Sequence, residues 1–130
     1  MKSKNIGKLL LSSNKESTRW KFLLTQCLNS VGTYNLVEEQ AMQGVYCAIF
    51  ASPEVAAYIK GVTIDEVKLG ILNIGNKGGV VISINIFETK LKFCACHLAS
   101  GQSDANLQER QTQMQQIHDA AFQAEVPKNS

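Results

Sequence analysis

Residues 80–87 and 91–98 are two apolar runs, Val-Val-Ile-Ser-Ile-Asn-Ile-Phe and Leu-Lys-Phe-Cys-Ala-Cys-His-Leu, separated by the polar Glu88-Thr89-Lys90. Two strand-like runs joined by so short a polar turn read as an antiparallel β-hairpin. Such pairing sets the start of the first strand beside the end of the second, with the strands ~4.8 Å apart. The first run is preceded by Gly75-Asn76-Lys77-Gly78-Gly79, and the second ends at His97 and Leu98. The spacing therefore predicts that the Lys77 loop and His97 meet at one end of a sheet.

That meeting point has the chemistry of an anion site. Backbone N–H groups in a glycine-rich loop can cradle phosphate oxygens. Lys77 brings a mobile positive charge and Asn76 an amide that donates or accepts. His97 can donate a proton or hydrogen-bond an anion near neutral pH. The same residues also read as a plain turn and a structural histidine at a strand end.

The chain has 130 residues, 45% apolar and 18% charged, which suits one ordinary globular domain. A net charge of +2 does not by itself call for a nucleic-acid partner, and part of the excess is local, in Lys2, Lys4, Lys8 and Lys15. No run approaches the ~18 apolar residues of a membrane span, and the first residues lack the apolar core of a secretory signal. The four cysteines, Cys27, Cys47, Cys94 and Cys96, form no CxxC pair and no zinc spacing. Alternation puts Cys94 and Cys96 on one strand face, where they read as small buried hydrophobes. A reduced, cytoplasmic protein is expected.

Residues 1–15 read as a short strand or a frayed arm. Trp20, Leu23, Leu24, Cys27, Leu28 and Val31 form an apolar helical stripe, with Ser17 as a cap and Gly32 as a stop, and the stripe reads as core packing. Strands are expected at 34–40 and 44–52, with a turn at Gln43-Gly44, and Pro53 opens a short helix at 53–59. Residues 62–69 read as a half-exposed edge strand with a bulge near the adjacent carboxylates Asp65 and Glu66, which are more simply solvated than metal-binding. Asp104 caps a final helix that carries Leu107, Met114, Ile117 and Ala121 on one side, with Arg110 and His118 off the stripe and Pro127 at its end.

Two segments, Gly75-Asn76-Lys77-Gly78-Gly79-Val80 and Phe93-Cys94-Ala95-Cys96-His97-Leu98-Ala99-Ser100-Gly101-Gln102-Ser103, resemble the inositol polyphosphate 5-phosphatase family, in its synaptojanin-type form. Glu109-Arg110-Gln111 stands where the family opens a helix with Glu-Arg-Asn. The likeness runs from Trp20 through Gly44, Phe50, Val67 and Gly70, and covers most of residues 16–122. Ala95, Cys96, Ser100 and Gln111 depart from the family pattern. The resemblance implies an α/β fold, a mostly antiparallel sheet flanked by helices, as part of the two-sheet sandwich shared with magnesium-dependent nucleases (the DNase I-like, endonuclease/exonuclease/phosphatase fold). It implies a catalytic His97 that holds or polarises the scissile phosphate, and Asn76, Lys77 and Arg110 as substrate-binding residues. It implies magnesium, a phosphoinositide or inositol phosphate substrate, and peripheral membrane contact.

The family's metal-binding glutamate, its Asp-x-Asn motif and its Asp-His pair have no counterpart here, so no metal ligand is assigned. The 1–130 chain is expected to be a single but incomplete domain, one sheet's worth of the sandwich, with loose termini. Its uncovered sheet face invites self-association. Two other readings stay open. One is a non-catalytic binder of phosphorylated headgroups. The other takes Gly75-Asn76-Lys77-Gly78 as the GXXG loop of a KH-type RNA-binding module, against the general expectation of no nucleic-acid partner.

Overall fold

A computed structural model describes residues 3–73 and 75–122, with side chains from Lys15 onward. The elements are α1 (Ser3–Asn29), β1 (Asn35–Met42), β2 (Val45–Ala51), α2 (Pro53–Ala56), β3 (Ile59–Leu69), β4 (Lys77–Ile86), β5 (Thr89–His97) and α3 (Asp104–Ala121). A 3-10 turn at Ile71–Asn73 joins β3 to β4. β1 and β2 make one antiparallel hairpin, and β3-β4-β5 a second antiparallel sheet with β4 in the middle.

β4 is the centre of the molecule. Its alternate side chains face opposite ways. Val80, Ile82 and Ile84 pack with Met42 and Val45 of the β1–β2 hairpin. Val81 faces the other way, into a cluster with Leu69, Ile117 and Ala121 of β3 and α3. Val80, Val81 and Ile82 are completely buried, and each such side chain contributes about 1.5–3 kcal/mol through burial. The order of layers is hairpin, three-stranded sheet, helix. The chain thus holds strands of two packed sheets rather than one, and β4 is covered on both faces, unlike the bare sheet face expected from sequence. The large exposed apolar side chains lie instead on the helices, on edge strands and in turns, as Phe22, Phe93 and Phe87 show.

Other expectations need correction. Residues 3–15 belong to α1, not to a strand or arm: Lys- and Leu-rich sequence without proline extends a helix once its nucleus exists, and Ser17 lies inside it. The Trp20 stripe is not core. Trp20 is 53% exposed, and Leu23 and Val31 are exposed as well. Among the described residues the helix is held mainly through β1. There Lys21 Nζ donates to Glu39 Oε1 at 2.8 Å, and Tyr46 Oη donates to Glu39 Oε2 at 2.6 Å. Burial alone would raise the Glu39 carboxyl, but the hydrogen bonds from Lys21 and Tyr46, with the Lys21 charge, hold it below the ordinary range.

The hairpin turn sits at Phe87 and Glu88, with Ile86 opposite Thr89 and Phe87 in the left-handed region at φ 53°. Phe87 takes that conformation while its ring stacks on Tyr58, centroids 4.6 Å apart. The irregularity in β3 falls between Lys60 and Thr63, ahead of the carboxylates. Asp65 and Glu66 lie within β3, where Glu66 accepts from Gln40 and pairs with Lys68 at 3.6 Å. α2 ends at Ala56, sooner than expected, with Ser52 as its cap. Ser103, not Asp104, caps α3. On α3, Ile117 and Ala121 are buried as expected, but Leu107 and Met114 are exposed and Gln113 takes an inward place. Cys94 and Cys96 are exposed rather than buried, because β5 is an edge strand. Pro127 lies outside the described residues.

Two stability measurements check this packing by urea unfolding. Ile82→Ala removes a fully buried side chain and should cost about 2–5 kcal/mol, whereas Trp20→Ala should cost less than ~1 kcal/mol, as surface substitutions do. Ser83, also in β4, is 1% exposed and its hydroxyl has no hydrogen-bond partner. An unpartnered buried hydroxyl carries a desolvation penalty of about 1–3 kcal/mol. Ser83→Ala should therefore stabilise the chain, and a fall in the unfolding midpoint would contradict that account.

Candidate functional site

The register of β4 and β5 sets Gly78 opposite His97 and Gly79 opposite Cys96. Lys77 and His97 therefore meet at the same sheet end, as the sequence predicted, with Lys77 Nζ 2.9 Å from His97 Nε2. With the ammonium as donor, Nε2 accepts and the ring proton lies on Nδ1. The β1–β2 turn closes on that side: a Cβ on Gly44, whose φ is 75°, would stand 3.3 Å from His97 Nδ1. Sequence reading placed Gly44 in a turn but could not see that the turn packs on the histidine ring.

The glycines do a different job from the one expected. Gly78 and Gly79 are residues of the central strand, paired to β3 on one side and β5 on the other. Gly75 N donates to Leu69 O at 3.3 Å. Their backbone groups are committed to the sheet, so this is not an open phosphate cradle. What requires glycine is close approach: a Cβ on Gly78 would lie 1.9 Å from Val67 O, and φ there is 134°. The loop also runs from a single 3-10 turn into a strand, not between two helices, which removes the KH-type reading.

Beside the Lys77 end opens a cleft of about 630 Å³ between the β3–β4 connection, the loop after β5 and α3. Asn76, Lys77, Ser100, Glu109 and Gln113 are among its lining residues. Asn76 Oδ1 is buried without a hydrogen-bond partner, folded over Gly70, where a Cβ would come within 2.1 Å of it. Gly70, with φ 86°, thus makes room for this amide. His97 stands outside the lining, and Lys77 links it to the cleft.

Arg110 does not line the cleft. Its Nη1 donates to Ala99 O at 3.1 Å and to Gly101 O at 2.8 Å. One helical turn on, the inward Gln113 accepts from Ala99 N at 2.7 Å. Residues 110 and 113, neighbours on one helix face, therefore clamp the chain just after His97 onto α3. Sequence reasoning named Arg110 as a site residue and placed Glu109 in the same family run without a role, but missed Gln113, which looked like an ordinary polar position of a glutamine-rich helix. Among the described residues no three histidine, cysteine or acidic groups gather as a metal site, and Glu109 is the one acidic residue among those lining the cleft.

Comparison with known proteins gives the family. A family model described as endonuclease/exonuclease/phosphatase family 2 matches residues 2–129. Human synaptojanin-1 is 32% identical over 100 residues, 76% of this chain and 6% of that protein. The Arabidopsis thaliana type I inositol polyphosphate 5-phosphatase 1 is 31% identical over 87 residues, 66% of this chain and 15% of the relative. Synaptojanin of Caenorhabditis elegans is 29% identical over 101 residues, 77% of this chain and 9% of the relative. The chain thus spans at most 15% of the length of these relatives. With a match across nearly its whole length and antiparallel sheets flanked by helices, the chain belongs to the endonuclease/exonuclease/phosphatase family.

Proposed function

We propose that this chain carries the phosphate-binding part of an inositol polyphosphate 5-phosphatase site, in which Lys77, with Asn76 and His97, holds a phosphate of a phosphoinositide or soluble inositol phosphate. The observation that carries the reading is the Lys77–His97 contact of 2.9 Å at the edge of the cleft. A primary ammonium held by a neutral ring nitrogen can swing to an incoming anion without leaving a buried charge, since both side chains are partly solvated. The names of the relatives, inositol polyphosphate 5-phosphatases and synaptojanins, supply the substrate class. Arg110 acts as a positioning residue through its bonds to Ala99 and Gly101. Glu109, facing the same cleft, opposes a phosphate there and suits the hydroxyls of an inositol ring.

The setting that goes with this reading is cytoplasmic, with peripheral contact at membranes through the headgroup. No helix among the described residues is long and apolar enough to cross a membrane.

Magnesium in such enzymes acts as a Lewis acid and activates water. The donors here do not fit it: magnesium asks for a near-octahedral set of oxygens on a rigid frame, and the cleft offers Glu109 as its carboxylate, with no three-group cluster among the described residues. Binding rather than bond cleavage is the role these residues support.

Two measurements test the proposal. Binding to vesicles containing a phosphatidylinositol bisphosphate should exceed binding to the same vesicles without it, and that excess should shrink with added salt and with Lys77→Ala. An excess that Lys77→Ala leaves intact would remove the site. Phosphate-ester hydrolysis is among the slowest of uncatalysed reactions, so a chain without the metal donors should release no more phosphate from a soluble bisphosphorylated phosphoinositide, magnesium present, than its His97→Ala variant does. Release well above that control would show that other carboxylates complete the site.

A further inference from the structure

We propose that α1 is a membrane-surface element whose outer face lies on an anionic lipid bilayer. Charge in this chain is strongly divided. Residues 1–29 carry six basic residues against the single acid Glu16, a net of +5, while the remainder carries seven basic and ten acidic residues, a net of −3. Nearly all of that positive excess lies along one helix, Ser3–Asn29.

Of these cations, Lys15 and Arg19 stand on the side away from the sheet. Lys21 is bonded to Glu39 of β1, and Leu24 and Leu28, three and seven residues on, are the half-buried leucines of the same side. Arg19 stands about 200° round the helix from Lys21. Lys15, four residues before it, and Phe22 and Leu23, three and four residues after, share its face, and all four are exposed. Positions 4 and 8, both lysine, fall in the same row by helical spacing. Trp20, 53% exposed, flanks the row on the Leu23 side, and Phe22, 59% exposed, flanks it on the other. A basic row bordered by aromatic and leucine side chains is the pattern of an interfacial helix: the cations meet anionic headgroups while the rings enter the headgroup boundary.

Other occupants suit this face less well. Nucleic acid would satisfy the cations but leave Phe22 and Leu23 without an apolar partner. A second copy would set one +4 helix against another. α1 also runs antiparallel to β1, since Lys21 meets Glu39 and Asn29 Oδ1 accepts from Tyr34 N. Its amino-terminal direction is therefore toward the sheet end that carries Gly44 and His97.

The test uses the whole chain and its single tryptophan. Trp20 emission should shift to the blue with phosphatidylcholine vesicles that contain phosphatidylserine and no phosphoinositide, and stay unchanged with phosphatidylcholine alone. Lys15→Ala with Arg19→Ala should weaken partitioning about tenfold or more. Phe22→Ser with Leu23→Ser should abolish the shift. All four positions are exposed, so circular dichroism should show the fold intact. Lys77→Ala should leave binding to these vesicles unchanged, which separates this surface from the headgroup site. The proposal is overturned if anionic vesicles leave Trp20 unshifted or if the charge variants bind as well as the parent. It is equally overturned if duplex DNA binds where vesicles do not, or if the emission is already blue and concentration-dependent without lipid, as a self-associated helix would make it.

Discussion

The structure depends on the burial of β4 from both sides. A strand covered on one face needs only alternate apolar residues, but β4 is apolar almost continuously, and its two faces demand two different partners. The β1–β2 hairpin covers Val80, Ile82 and Ile84, and α3 with Leu69 of β3 covers Val81. Everything near the candidate site inherits its position from that arrangement. Lys77 is the first residue of β4 and His97 the last of β5, so the register that buries the valines and isoleucines also sets these two side chains together. A one-residue slip would exchange the residues that face the hairpin with those that face α3 and separate the pair.

The glycines show how packing and site geometry share the same residues. Gly78 permits β3 to approach β4, Gly70 accommodates the Asn76 amide, and Gly44 leaves space for the His97 ring. Each is a steric allowance, and together they let three polar side chains converge where bulkier residues would force them apart. On the other side of the site, Arg110 and Gln113 hold the carbonyls and N–H of the segment after His97. The chain thus fixes the side chains of the candidate site through the sheet on one side and through α3 on the other. The same β4 register that places the site leaves α1 outside the core, tied to β1 by an exposed ion pair whose contribution is modest.

Much of this was legible in the residues. The hairpin was, because two apolar runs with a short polar turn have few other ways to bury themselves, and the meeting of Lys77 and His97 followed from antiparallel pairing alone. The family was legible too, read from the motifs around Asn76, Lys77 and His97, and it agrees with the relatives the chain matches. The strands at β1, β2 and β3 and the helix α3 were evident from period and turn residues, within a few residues at their ends.

What tertiary structure decided was which apolar residues have a partner and what each polar group faces. Period alone gave Trp20 and Leu23 of α1, and Val31 just past its end, the same standing as Ile117 of α3, yet the first three are exposed and Ile117 is buried, because only α3 lies across the sheet. Spacing could not tell that Gly78 and Gly79 spend their hydrogen bonds within the sheet, that Gln113 turns inward, or that Arg110 reaches carbonyls rather than the cleft. Sequence period reports the direction a side chain takes from its own element. Whether another element stands in that direction is set by long-range packing, and local pattern contains no term for it.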